Sequence, residues 1–132
     1  MSRSSGIQVL SESIAVGPTA SRGSTVRYSA RFYLRRGDEV TPDFEAIDRY
    51  GDRVPTRSVE GAKLIEHSTT LGKRQVIAGV ERMLVGLSAG SYREAIIPPH
   101  LAYGKKGLGA LIPPDAMIRA KVWVHDVDAA DA

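Results

Sequence analysis

The stretch "VIAGVERMLVGLSAGSYREAII", from Val76 to Ile97, changes its period halfway along. Val80, Met83, Leu84 and Leu87 recur at helical intervals, and glycines follow them, which predicts a short amphipathic helix with C-terminal stop signals. "SYREAII" then reads as a strand that runs into Pro98-Pro99. Proline has no N–H to give a ladder, so the pair should mark the strand's end.

Two further segments alternate with period two. In "VRYSARFYL", Tyr28, Ala30, Phe32 and Leu34 share one face, and Arg27, Ser29, Arg31 and Tyr33 the other. In "MIRAKVWVHDV", Ile118, Ala120, Val122 and Val124 point inward, while Arg119, Lys121, Trp123 and His125 point outward. Half-buried strands with one helix to cover a single face make an α+β domain. A chain of 132 residues is one domain by length and can bury roughly two-thirds of its unfolded surface.

"IIPPHLAYGKKGLGALIPPDA", Ile96 to Ala116, sets two Pro-Pro pairs around an interior with one tyrosine, two lysines and three glycines. A loop of that length inside a compact domain is usually functional or disordered, and Leu101, Leu108, Leu111 and Ile112 argue for order. It reads as the wall of a site. The segment from Thr41 to His67 mixes prolines, glycines and charges with Phe44, Ile47, Tyr50, Leu64 and Ile65, and reads as an ordered insertion at about 41–67.

Composition removes several classes of chemistry. Zero cysteines exclude disulfides, thiolate metal sites and cysteine nucleophiles. His67, His100 and His125 lack metal-ligand spacing, with one another or with paired carboxylates. "GKKGLG" has no following Ser/Thr and runs into prolines instead of a helix, so it is no phosphate loop, and no G-x-S-x-G turn exists. The net charge of +3 and pI of about 9.4 come from basic residues scattered among acids, which is a solvated surface and not a nucleic-acid stripe. No apolar run suits a signal-peptide core or a membrane span, so the expected location is the cytoplasm.

Taken together, "LGKRQVIAGVERMLVGLSAGSYREAIIPPHLAYG" and "GALIPPDAMIRAKVWVHDV" resemble the FKBP-type peptidyl-prolyl isomerases, the immunophilins that bind macrolide immunosuppressants. "GIQV" and "RGSTVRYSARFYLRRGDEV" extend the likeness over roughly Gly6 to Val127, apart from the insertion. The resemblance implies an antiparallel twisted sheet wrapped around the short helix, an apolar pocket between them, and a flap formed by the 96–116 stretch.

By position, the resemblance places Tyr28, Val76, Ile77, Tyr103, Leu111 and Ile112 at the pocket. The Ile77 backbone N–H and the Tyr103 hydroxyl would meet substrate carbonyls. Val80 stands where the family has an indole floor, Ala120 where it has an aromatic wall, and His67 near another aromatic position. The family's Phe-Asp pair aligns with Val40-Thr41, with Asp43-Phe44 close by. The implied activity is cis-trans isomerisation of X-Pro bonds in proline-containing polypeptides, needing no metal or cofactor. Missing rings imply a weakened pocket and weak macrolide binding, unless Phe44 and Tyr50 refill it. The alternative is an impaired binding or chaperone module that keeps the fold. Tyr33, Tyr92, Ile96 and Trp123 on the outer sheet face suggest a homodimer, or else a face that the insertion covers.

Overall fold

The computed structural model describes residues 6–42 and 54–129. Its strands are β1 (Gln8–Ser13), β2 (Thr25–Tyr33), β3 (Thr56–Val59), β4 (Ala62–Ile65), β5 (His67–Thr70), β6 (Tyr92–Ile97) and β7 (Ile118–Asp128), with helix α1 at Ala78–Leu84. A five-stranded sheet runs β1-β6-β7-β2-β5, every pair antiparallel, and β3 and β4 form a separate hairpin.

Helix α1 lies on one face of the sheet against β6 and β7. Its buried residues are Gly79, Val80, Met83 and Leu84, and Leu87 just beyond it is fully buried, as the helical spacing predicts. Gly86, at φ +85, turns the chain away and donates its N–H to the Ala20 carbonyl at 2.8 Å. Met83, Leu84, Ile97, Ile118, Val122 and Val124 are at the centre of the core between helix and sheet. Among the described residues no helix is long and apolar enough to cross a membrane.

The alternation in β7 holds from Ile118 to Val124 and then slips. Arg27 pairs with Asp126 but Tyr28 pairs with Val124, so His125 is the extra residue of a bulge. The bulge resets the pleat, and Val127 joins the core where strict alternation puts Asp126.

The outer face of β2 departs from expectation at Ser29, which is fully buried. The β3–β4 hairpin covers it: the Ser29 hydroxyl donates to the Ile65 carbonyl at 2.7 Å and lies 2.8 Å from His125 Nε2. Arg57 of β3 bonds Glu66 at 2.5 Å and Asp126 of β7 at 3.2 Å. At the hairpin's turn, Glu60 adds to burial and Glu94 in pushing the Tyr92 hydroxyl's pKa up. Val59 and Leu64 are buried outside the main core. On the same sheet Tyr92 and Trp123 meet at a tilt of 44°, ring centroids 5.3 Å apart, and Arg119 sits 4.9 Å over the Tyr33 ring. Phe44, Ile47 and Tyr50 lie outside the described residues.

The 96–116 stretch folds as a chain of tight turns. Pro98 ends β6, a 3₁₀ turn spans Pro99–Leu101, and the Leu108 N–H donates to the Ile112 carbonyl at 2.8 Å. Gly107 has φ +66, and a β-carbon there would lie 2.8 Å from the Pro113 carbonyl carbon and closer still to Ile112 O. Only glycine fits that turn. Leu101 and Ile112 are buried, whereas Leu108 and Leu111 stay more than a third exposed.

Candidate active site

One face of β2 supplies the first wall of a cavity of about 530 Å³, because alternation carries Tyr28, Ala30 and Phe32 to the same side. His67 from β5 extends that wall, its ring centroid 5.3 Å from that of Tyr28. Val80 of α1 forms the floor, and Gln75, Val76 and Ile77 approach from the segment leading into the helix. Tyr103 closes the far side with its ring edge-on to Phe32, centroids 6.5 Å apart. Thr41 and Pro42 complete the rim.

The polar groups of the rim are mostly spoken for. The Thr41 hydroxyl accepts the Phe32 N–H at 3.0 Å and donates to Glu39 at 2.8 Å, while Arg31 grips both Glu39 oxygens at 2.8 and 2.7 Å. The hydrogen bonds from Arg31 hold the Glu39 carboxyl below the usual carboxylate range, with Thr41 adding to them against the effect of burial. Gln75 turns its carbonyl oxygen to the Thr70 N–H at 2.8 Å and the Thr69 hydroxyl at 3.2 Å, so that amide caps the end of β5.

The Ile77 amide is different. Its residue is extended, at φ −57 and ψ 147, and its carbonyl accepts the N–H groups of Val80 at 3.0 Å and Glu81 at 3.3 Å. Among the described residues nothing accepts its own N–H, as expected where a helix begins. A donor therefore stands at the wall of an apolar, ring-lined cavity. Such a site can hold a proline ring away from water and bond one of the flanking carbonyls.

Of the residues that the resemblance singles out, Tyr28, Val76, Ile77, Val80 and Tyr103 line this cavity, together with His67 and Thr41. Ala120, Ile112, Leu111 and Val40 stand elsewhere, Val40 being buried in the main core. Ala120 is fully buried opposite Phe32 in the β2–β7 register, and at that level the Phe32 ring reaches the cavity instead. Ile112 is fully buried in the main core. Leu111 faces a second depression of about 500 Å³, lined also by Glu39 and Leu108, which shares Thr41 and Pro42 with the first.

Ala30, Phe32, Pro42 and Gln75 are lining residues that motif reading passed over, whereas the resemblance already places Thr41 there. The period of β2 already groups Ala30 and Phe32 with Tyr28, so their place on the wall was available from alternation. Pro42 and Gln75 carry no such signal; a hydrogen bond from the Thr70 N–H holds Gln75 at the rim, as one from the Phe32 N–H holds Thr41.

Residues 19–125 match the model of a family described as FKBP-type peptidyl-prolyl cis-trans isomerase. The chain is 39% identical over 84 residues to FK506-binding protein 2 of Yarrowia lipolytica, a match covering 64% of this chain and 56% of that protein. It is 36% identical over 101 residues to peptidyl-prolyl cis-trans isomerase FKBP9 of Bos taurus, covering 71% of this chain and 16% of the relative. The crystal structure of FkpA from Escherichia coli superposes with a TM-score of 0.66 at 25% identity, over 95% of this chain and 48% of FkpA. The chain thus spans about half or less of these proteins. A family match over most of the sequence, on a sheet-and-helix fold with the expected cavity, has one consequence: the chain belongs to the FKBP-type peptidyl-prolyl cis-trans isomerase family.

Proposed function

We propose that this chain catalyses cis-trans isomerisation of X-Pro bonds in proline-containing polypeptides, with Tyr28, Ile77 and Tyr103 as the groups that meet the substrate. The observation that carries this reading is the unclaimed Ile77 N–H beside the Tyr28, Phe32 and Tyr103 rings. Amide resonance sets a rotation barrier of ~18–20 kcal/mol, and uncatalysed exchange takes tens to hundreds of seconds. Rotation needs no nucleophile. A cavity accelerates it by favouring the twisted imide over the planar one, and an amide donor bonded to a carbonyl in the twisted geometry does so differentially. The test is an exchange assay on a panel of short X-Pro peptides. Turnover above the uncatalysed rate supports the reading; binding without acceleration points to the impaired module.

Val80 favours a weak version of this activity, because its side chain offers a proline or pipecolyl ring far less contact than an indole. Macrolide binding is accordingly weak in this reading, and calorimetry with FK506 tests it.

The outer sheet face serves the chain's own hairpin in this reading, and not a second copy. The bond from Ser29 to Ile65 and the buried Val59 and Leu64 support it. Sedimentation should give a monomer, whereas a dimer dispersed by Trp123→Glu would assign the face to self-association.

A further inference from the structure

Beside the principal cavity lies a depression of about 460 Å³ that shares Val76 with it, its other walls being Arg74, Ala78, Glu81 and Arg82. Two of these residues are basic, Arg82 directing its Nη1 toward Gly6, and one carries a carboxylate. That carboxylate is already engaged by the backbone: Glu81 accepts the Gly72 N–H at 3.2 Å on each oxygen and the Arg74 N–H at 3.3 Å. These bonds hold Arg74 in the left-handed region at φ +56. Among the described residues the Arg74 side chain has no carboxylate partner, and neither has its exposed neighbour Lys73. An uncompensated cation thus stands beyond the Val76 ridge from the place where a proline would sit.

We propose that this depression is a substrate subsite for an acidic side chain close in sequence to the isomerised proline. The proposal rests on the isomerase reading of the neighbouring cavity. Extended peptide advances about 3.3 Å per residue and returns side chains to one face every second residue. A carboxylate two residues from the proline therefore reaches past Val76 to Arg74, while the proline ring stays in the principal cavity. Lysine at the same place meets like charge.

The test uses one X-Pro peptide core with Glu, Gln or Lys placed two residues before or after the proline. The wild-type chain should process the Glu peptide roughly threefold better in kcat/KM than its Gln counterpart in one of the two placements, a ratio in keeping with a partly exposed ion pair. The Lys peptide should be poorest. Arg74→Gly suits the left-handed backbone and removes only the side chain, so it should bring the Glu-to-Gln ratio close to one. About 0.5 M salt should do the same. Equal use of the Glu and Gln peptides in both placements overturns the subsite, as does a ratio that persists in Arg74→Gly. A chain that accelerates no peptide overturns the isomerase reading instead. The subsite is then judged by the same ratio in Kd, from NMR titration of the Arg74, Val76 and Glu81 amides.

Discussion

Gly79 of α1 packs directly on Ile97 of β6: a β-carbon at position 79 would lie 2.9 Å from Ile97 Cδ1 and closer still to its Cγ2. Ile97 is fully buried, so it has no empty space to move into. This contact sets how near the helix approaches the sheet, and hence the depth of the cavity whose floor is Val80. Gly79→Ala should therefore destabilise the fold by about 1–3 kcal/mol, despite alanine's better helix propensity. Urea unfolding measures it, and the double variant Gly79→Ala/Ile97→Val should recover part of the loss. A stabilised single variant would mean that the helix lifts without cost.

Tyr103→Phe keeps the ring that meets Phe32 edge-on and removes only the hydroxyl. If that hydroxyl bonds a substrate carbonyl, kcat/KM should fall about three- to tenfold. An unchanged kcat/KM would make Tyr103 a wall and nothing more.

Val80→Trp rebuilds an aromatic floor in a cavity of about 530 Å³. A ring can bury on the order of 150–250 Å², so FK506 affinity should rise about tenfold or more. Calorimetry reads the change. A fall in affinity, with a loss of stability, would show that the space above Val80 is already filled.

Burial, with the Arg57 guanidinium adding to it, lowers the pKa of His125 below the ordinary value of about 6.5. The unfolded chain then binds a proton that the folded one resists. Stability from this group is complete above about pH 6.5 and is lost as pH falls toward the depressed folded pKa. Urea midpoints for the wild type should therefore drop between pH 7.5 and 5.5 more than those of His125→Gln. A parallel drop in both proteins would assign the acid sensitivity to other groups.

The periodic elements were legible in the sequence because they are local. Helical spacing at Val80, Met83, Leu84 and Leu87 and alternation in β2 and β7 each state which face meets the core, and the structure buries those faces. The prolines at 98 and 99 end β6 for a reason that lies within their own rings. The family resemblance added the cavity, whose walls include Tyr28, Val76, Ile77, Val80 and Tyr103.

What only the tertiary structure decided are the features that depend on pairing between distant segments. The bulge at His125 exists because β2 and β7 pair over their whole length with one residue too many, and no local pattern marks which residue is extra. Ser29 looks like an outward polar residue in its own strand; the Ile65 carbonyl, 36 residues away in sequence, is what buries it. Phe32 takes the wall at the level of Ala120 through cross-strand register, and Glu81 frees Arg74 by collecting backbone N–H groups of a turn. Side-chain period reports the face of an element, but the partner on that face is chosen by chain-wide packing.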